Sequence, residues 1–238
     1  TAITVSCRYG VALMAARAYR PLIEGRAIAG RIDGLLRLET KLDAAAMHAL
    51  VAAQGLPGAY VQALDASAAT QAAGVSLSSP AWLYPHGGWL APAALVRHWL
   101  REGGIRWRGG CAVHALRRVD GGWQALDAQQ RVLAGADVVV LANADDVPRL
   151  AASAGGDDAA LLEHSLRHER GQLSLIAATA GLPLPRLPLA GDGYAIALPD
   201  GRLLCGATST PLPGGGDVRP ATATVEAADS LSSSMPLQ

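Results

Sequence analysis

Phenylalanine is absent from this 238-residue chain, and lysine occurs once, at Lys41. Arginine supplies the other 19 of the 20 basic residues. Beside so much alanine, that bias reads as a GC-rich genome rather than as an adaptation to phosphate. Cysteine is scarce as well. Cys7, Cys111 and Cys205 are far apart, odd in number and without a CxxC spacing. That pattern argues against a disulfide scaffold and a structural zinc site, and makes a reducing cytoplasm the natural compartment. No apolar run approaches the roughly 20 residues of a membrane-spanning helix, which argues against a bilayer protein. The net charge is zero, so no global positive field draws the chain to nucleic acid, although a local basic groove stays open. The start, Thr1 to Tyr9, has neither the charged segment nor the small-residue cleavage site of a signal peptide. It also has no initiator methionine. A processed protein or an excised piece looks like this.

Several chemistries are missing too. There is no GxSxG, SxxK or HExxH, no GxxxxGK[ST] and no GxGxxG. Gly214-Gly215-Gly216 lies between prolines rather than between a strand and a helix, so it is no phosphate cradle. What is present is core material. Half the residues are hydrophobic and 17% are charged, which excludes wholesale disorder. The length suits one large domain or two small ones.

The pattern predicts an α/β (α+β) chain. A helix is expected over Val11 to Ile23, and a strand over Ile32 to Glu39. Asp43 can cap a helix ending at Gly55, and Asp65 or Ser67 one ending near Gly74. A short strand is expected over Tyr60 to Leu64. Pro92 suits the first turn of a helix running to about Glu102. Short strands should follow over Ile105 to Arg108, Val113 to Val119, Trp123 to Leu126 and Val132 to Leu133. Val138 to Leu141 has the look of a strand buried on both faces. Asp145 or Asp146 caps a further short helix. Arg170 to Ala177 and Tyr194 to Leu198 read as strands, and Arg202 to Ala207 turns back across Asp200-Gly201, a strong hairpin signal.

Candidate site residues each carry two readings. His164 and His168 could share a helix face and hold a metal, or lie on a solvated face. His86 precedes Gly87-Gly88, a pair that permits positive φ or close backbone approach; the histidine is a site residue or a surface one. Tyr84 and Trp89 could line a planar ligand pocket, or close a strand-to-helix joint. Arg106, Arg108, Arg117 and Arg118 could touch phosphate, or form the wet face of a sheet.

Three segments go further. They are Tyr84-Pro-His-Gly-Gly-Trp-Leu-Ala-Pro-Ala-Ala-Leu95, then Ala136-Asp137-Val-Val-Val-Leu-Ala-Asn143, then Glu169-Arg-Gly-Gln-Leu-Ser174 with Tyr194-Ala-Ile-Ala-Leu-Pro-Asp-Gly-Arg-Leu-Leu-Cys-Gly-Ala-Thr208. In this order they resemble the D-amino-acid-oxidase-like flavoproteins, the superfamily of glycine oxidase and sarcosine oxidase. The YPxGGWLxPxxL run is similar to the FAD-dependent domain of the bifunctional tRNA 5-methylaminomethyl-2-thiouridine biosynthesis family. The resemblance covers about residues 10 to 215.

The resemblance implies a glycine-oxidase-like fold: part of a Rossmann-type FAD-binding domain with a mixed or antiparallel-sheet substrate domain. It places a first substrate-domain piece with a leading helix at 1–85, part of the FAD domain at 86–152, a second substrate-domain piece at 160–215 and a tail at 216–238. It implies FAD as cofactor, Tyr194 as the residue at the substrate carboxylate, and Tyr84, Trp89, Arg170 and Ser209 around the substrate. The backbone of Val113 would meet the adenine, with Ala142 and Asn143 close to the cofactor. Relatives carry a glycine near there; this chain has Asn143 and Ala144. The family's GxGxxG element and its last flavin-contacting strand are not in these 238 residues, so FAD retention by this chain alone is not expected. The implied reaction takes a hydride from the carbon beside the amine of a carboxymethylaminomethyl wobble uridine in tRNA. The imine then hydrolyses to aminomethyl uridine and glyoxylate. The implied setting is cytoplasmic, with tRNA as partner, no metal, no membrane and a methyltransferase domain fused in the parent protein. A small-molecule amine or amino-acid oxidase, and a non-catalytic binding module, are the alternatives.

Overall fold

The computed structural model describes residues 17–155, 169–177 and 181–211. They fall into two compact units. The first runs to Ile105 and includes Gly171–Thr208; the second comprises Arg106–Arg170 and the residues from Ser209. His164, His168 and the tail at 216–238 lie outside the described residues, as does the start of the first expected helix.

In the first unit, residues 17–24 are helical (α1). The strands are β1 (Gly30–Arg31), β2 (Leu35–Leu38), β3 (Gln62–Leu64), β4 (Ala81–Tyr84) and β5 (Trp89–Leu90). The helices are α2 (Ala44–Gln54), α3 (Ala66–Ala73) and α4 (Pro92–Glu102). Their limits follow from local chemistry. Asp43 accepts a 2.8 Å bond from the Ala46 amide, and Asp65 a 2.7 Å bond from the Ala68 amide, so each carboxylate satisfies an orphan N–H of a first turn. Gly55 and Gly74 close these helices at φ 61° and 70°, a conformation that costs a residue with a Cβ.

The main sheet has seven strands in the order β3-β4-β2-β10-β11-β12-β9. The later ones are β9 (Glu169–Ile176), β10 (Leu189–Ala190), β11 (Tyr194–Ala197) and β12 (Leu203–Pro211). β11 and β12 form the expected hairpin across Asp200-Gly201. β10 runs parallel to β2 and joins the two halves of the sheet.

Register sets the two faces. Leu36, Leu189, Ala195 and Cys205 are cross-strand partners in turn, so they share one face. With Ala69 and Ala73 of α3 they form a buried core. That burial pushes the Cys205 thiol up from its ordinary value. The residues between them, Arg37, Ala190, Tyr194 and Gly206, face the other way. On that side a second cluster of Met47, Val61, Ala63 and Trp82 packs α2 over β3 and β4. Farther along the same side, Leu173 stays 52% exposed.

The second unit is an antiparallel meander of β6 (Ala115–Val119), β7 (Gly122–Leu126) and β8 (Val132–Ala136). A short 3-10 turn at Ala144–Asp146 leads into α5 (Val147–Ser153). Leu116 and Leu150 are buried. Ser153 Oγ accepts a 2.9 Å bond from the Leu116 amide and so ties α5 to β6.

Three local expectations are corrected. Ile105 to Arg108 forms no strand. Val138 to Leu141 is not a buried strand either: Val138 is 75% exposed and Val140 82%. An apolar run becomes a strand only with a ladder partner, and among the described residues none pairs with it. Asp146 precedes α5, but its side chain makes no capping bond. Its carboxylate is engaged by Arg149 instead.

Candidate functional site

Tyr194 opens β11 opposite Gly206 and Ala190. It is half-buried on the face away from α3. A Cβ built on Gly206 would lie 2.5 Å from the Leu173 side chain, which places Leu173 on that face too. A phenol beside a glycine and a leucine, with no carboxylate among its strand partners, can donate to an anionic substrate group.

Tyr84 lies on the same face, since its partner Leu35 alternates with Arg37. It belongs with the cluster under α2: its ring meets Tyr60 edge-on at 5.8 Å. Burial, and then Tyr60, pushes its phenol up, while the neighbouring Arg37 opposes the shift. Tyr84 therefore stays a protonated donor at neutral pH. Arg37, a cation on the face that carries Tyr194, was missed in the sequence. Only the alternation of β2, known once its register is known, exposes it.

Trp89 sits in β5 opposite Arg31 of β1 and is half-buried. The Gly87-Gly88 question is settled by this packing. Neither glycine has a positive φ. A Cβ on Gly88 would lie 1.9 Å from the Arg31 carbonyl oxygen, so close backbone approach is the reason for glycine. His86 is near the surface, where its Nδ1 accepts a 3.3 Å bond from Arg20.

Arg170 is the second residue of β9 and half-buried. The Ser209 hydroxyl donates a 2.6 Å bond to Glu169. Arg117 and Arg118 are consecutive in β6 and so point to opposite faces. Arg117 Nη2 donates to Gln124 at 2.6 Å, and Arg118 lies 5.6 Å from the centre of the Trp123 ring. Arg108 donates to the Leu133 carbonyl. The cluster seen in the sequence is thus divided between the faces of the meander.

The second unit brings together what the sequence kept apart. The Val113 carbonyl accepts a 3.3 Å bond from Arg149 Nη2, and the His114 carbonyl a 2.5 Å bond from Arg149 Nη1. The same guanidinium grips Asp146 through two 2.6 Å bonds. Asn143 also bonds the Asp146 carboxylate, which Arg149 above all holds below its usual range. Val113 and Asn143, thirty residues apart, are therefore joined by one network. Ala142 and Asn143 are exposed.

Ala144 follows with φ 54°, the left-handed region where an L side chain is strained. Ala144→Gly is expected to raise stability by about 0.5–1 kcal/mol, read as the midpoint of urea unfolding. A lower midpoint would show that the backbone there is not held as described.

The fold belongs to a known class of enzymes. Glycine oxidase from Geobacillus kaustophilus matches with a TM-score of 0.69 at 19% identity, over 94% of this chain and 62% of that one. L-proline dehydrogenase from P. horikoshii matches with a TM-score of 0.72 at 13% identity, over 95% and 62%. At those identities the likeness shows the fold alone. The model of the FAD dependent oxidoreductase family matches residues 6–235, and the chain belongs to that family. It is also similar to tRNA 5-methylaminomethyl-2-thiouridine biosynthesis bifunctional proteins. Identity is 42% to that of Methylibium petroleiphilum (strain ATCC BAA-1232 / LMG 22953 / PM1), over 80% of this chain. It is 39% to that of Burkholderia multivorans (strain ATCC 17616 / 249), over 87%. The chain spans 29% and 30% of these two relatives' lengths. The D-amino-acid-oxidase-like resemblance and the mixed α/β fold expected from the sequence both hold.

The family implies FAD, and the described residues fit it in one respect. Among the described residues no backbone group of residues 138–142 is hydrogen-bonded, and Ala142 has only a methyl group to stand in the way. Backbone without a partner among the described residues has donors and acceptors to offer a nucleotide. No helix among the described residues is long and apolar enough to cross a membrane.

Proposed function

We propose that the chain is the central part of an FAD-dependent enzyme that oxidises the carboxymethylaminomethyl group of a tRNA wobble uridine. The observation that carries this is Tyr194. It stands half-buried on the sheet face away from the α3 core, opposite Gly206 and on the face that carries Arg37. The family and the names of the relatives support it.

FAD, when bound, would accept the hydride from the carbon beside the amine nitrogen. The chain's own residues bind and orient. Tyr194 donates to the substrate carboxylate and aligns that carbon. Tyr84, Trp89, Arg170 and Ser209 are assigned to the surroundings of the substrate. Val113, Ala142 and Asn143 hold the nucleotide end of the cofactor, Val113 through its backbone. No side chain is assigned as a strong base, because the amine lone pair assists hydride loss. The imine then hydrolyses, giving aminomethyl uridine and glyoxylate. A cytoplasmic setting suits a tRNA substrate, and a methyltransferase domain in the same polypeptide would act on the product amine.

The test uses the complete protein. It should show a flavin absorption band, and should release glyoxylate from tRNA carrying the carboxymethylaminomethyl group. A flavin band with turnover of free amino acids and none of tRNA would favour a small-molecule amine oxidase. No flavin, even after added FAD, would leave a binding module.

A further inference from the structure

We infer that Arg149, clamped by Asp146, is a positioning residue that holds the two backbone segments meeting the nucleotide half of FAD. The inference rests on the functional reading above, and goes beyond it by assigning a residue that touches neither cofactor nor substrate.

The geometry is specific. One guanidinium makes two bonds of 2.6 Å to the Asp146 carboxylate, one of 2.5 Å to the His114 carbonyl and one of 3.3 Å to the Val113 carbonyl. Asp146 also takes the Asn143 side chain. The segment before β6 and the segment before α5 are therefore tied through a single residue. The His114 amide donates 2.7 Å to the Leu126 carbonyl, and the residues before it lie outside the β6–β7 ladder. Residues 110–113 are irregular, and among the described residues the backbone groups of 138–142 have no hydrogen bonds. Irregular backbone that must meet a ligand needs a side-chain frame to fix it.

Arginine suits this task and lysine does not. A planar guanidinium can serve a carboxylate with one edge and carbonyls with another, whereas an ammonium is a single point of donors. The pair is also a poor stability device. Arg149 and Asp146 are 45% and 47% exposed, and half-exposed ion pairs contribute little to folding. Four hydrogen bonds from one half-exposed side chain make better sense as placement than as stability.

The experiment compares Arg149→Lys and Arg149→Gln with the unchanged complete protein. FAD and FMN are titrated separately, with flavin fluorescence as the readout. FMN lacks the adenine half, so its affinity should not respond to the clamp. The expected result is FAD binding about tenfold weaker in both variants, which is the effect of losing roughly one good hydrogen bond's worth of placement. FMN affinity and the thermal midpoint should stay as they were. Equal loss of FAD and FMN affinity would mean a general defect and would overturn the inference. So would undiminished FAD affinity in both variants, while leaving the FAD reading intact. If the unchanged protein binds no FAD, both the inference and the functional reading fall. Should Arg149→Gln not fold, Arg149→Lys keeps the charge pair and carries the comparison.

Discussion

Gly88→Ala is expected to destabilise the chain by more than about 3 kcal/mol, or to prevent its soluble expression, measured as the loss of a cooperative urea transition. The added Cβ would sit 1.9 Å from the Arg31 carbonyl oxygen, 2.8 Å from its carbon and 2.9 Å from the Ile32 Cα. All three are backbone atoms, so no side chain can move aside. Relief would mean separating β5 from β1, whose register pairs Arg31 with Trp89 and Gly30 with Leu90. Gly30 is pinned from the other direction, since its own Cβ would lie 2.6 Å from the Trp89 carbonyl. Gly55→Ala is the control. It has nothing within 4 Å and a φ of 61°, so it carries backbone strain and no clash. Its cost should be about 1 kcal/mol. If the two variants are equally stable, the close approach is not what requires glycine in this run.

Tyr194→Phe in the complete enzyme is expected to lower kcat/KM on the carboxymethylaminomethyl substrate by about 10- to 100-fold. That is the size of a lost hydrogen bond to a charged group, about 1.5–3 kcal/mol. Stability should hardly change. The ring stays in place against the strand, and among the described residues the hydroxyl has no hydrogen-bond partner to lose. The control is a substrate whose amine bears a methyl group in place of the carboxymethyl group. On it the variant and the unchanged enzyme should perform alike. A Tyr194→Phe enzyme that loses both substrates equally, or neither, would remove this residue from the carboxylate site.

The elements legible in the sequence are those whose signals are local. The Asp43 and Asp65 caps, the Gly55 and Gly74 stops, Pro92 at a helix start and the Asp200-Gly201 hairpin each involve atoms a few residues apart. Their energetics are complete within one turn, so composition and spacing announce them. Val138 to Leu141 misled for the opposite reason. Its apolar, β-branched character shows that it suits a strand, but a strand exists only with a neighbour, and residue order says nothing about who that is. Arg106 to Arg118 misled in a related way. Four arginines close in sequence read as a patch, and strand alternation sends two of them to opposite faces.

The candidate site shows the same division. The sequence by itself determined the family resemblance and the glycines of the YPHGGWL run, and it nominated Tyr194, because each is carried by residue identity at short spacing. Tertiary structure alone decided which face Tyr194 shares with Arg37, why Gly88 admits no side chain, and that Arg149 binds Asp146 and the carbonyls of Val113 and His114. Those are distances between segments far apart in the chain. They depend on strand register and on how β1 meets β5 and α5 meets β6, and no local propensity encodes either.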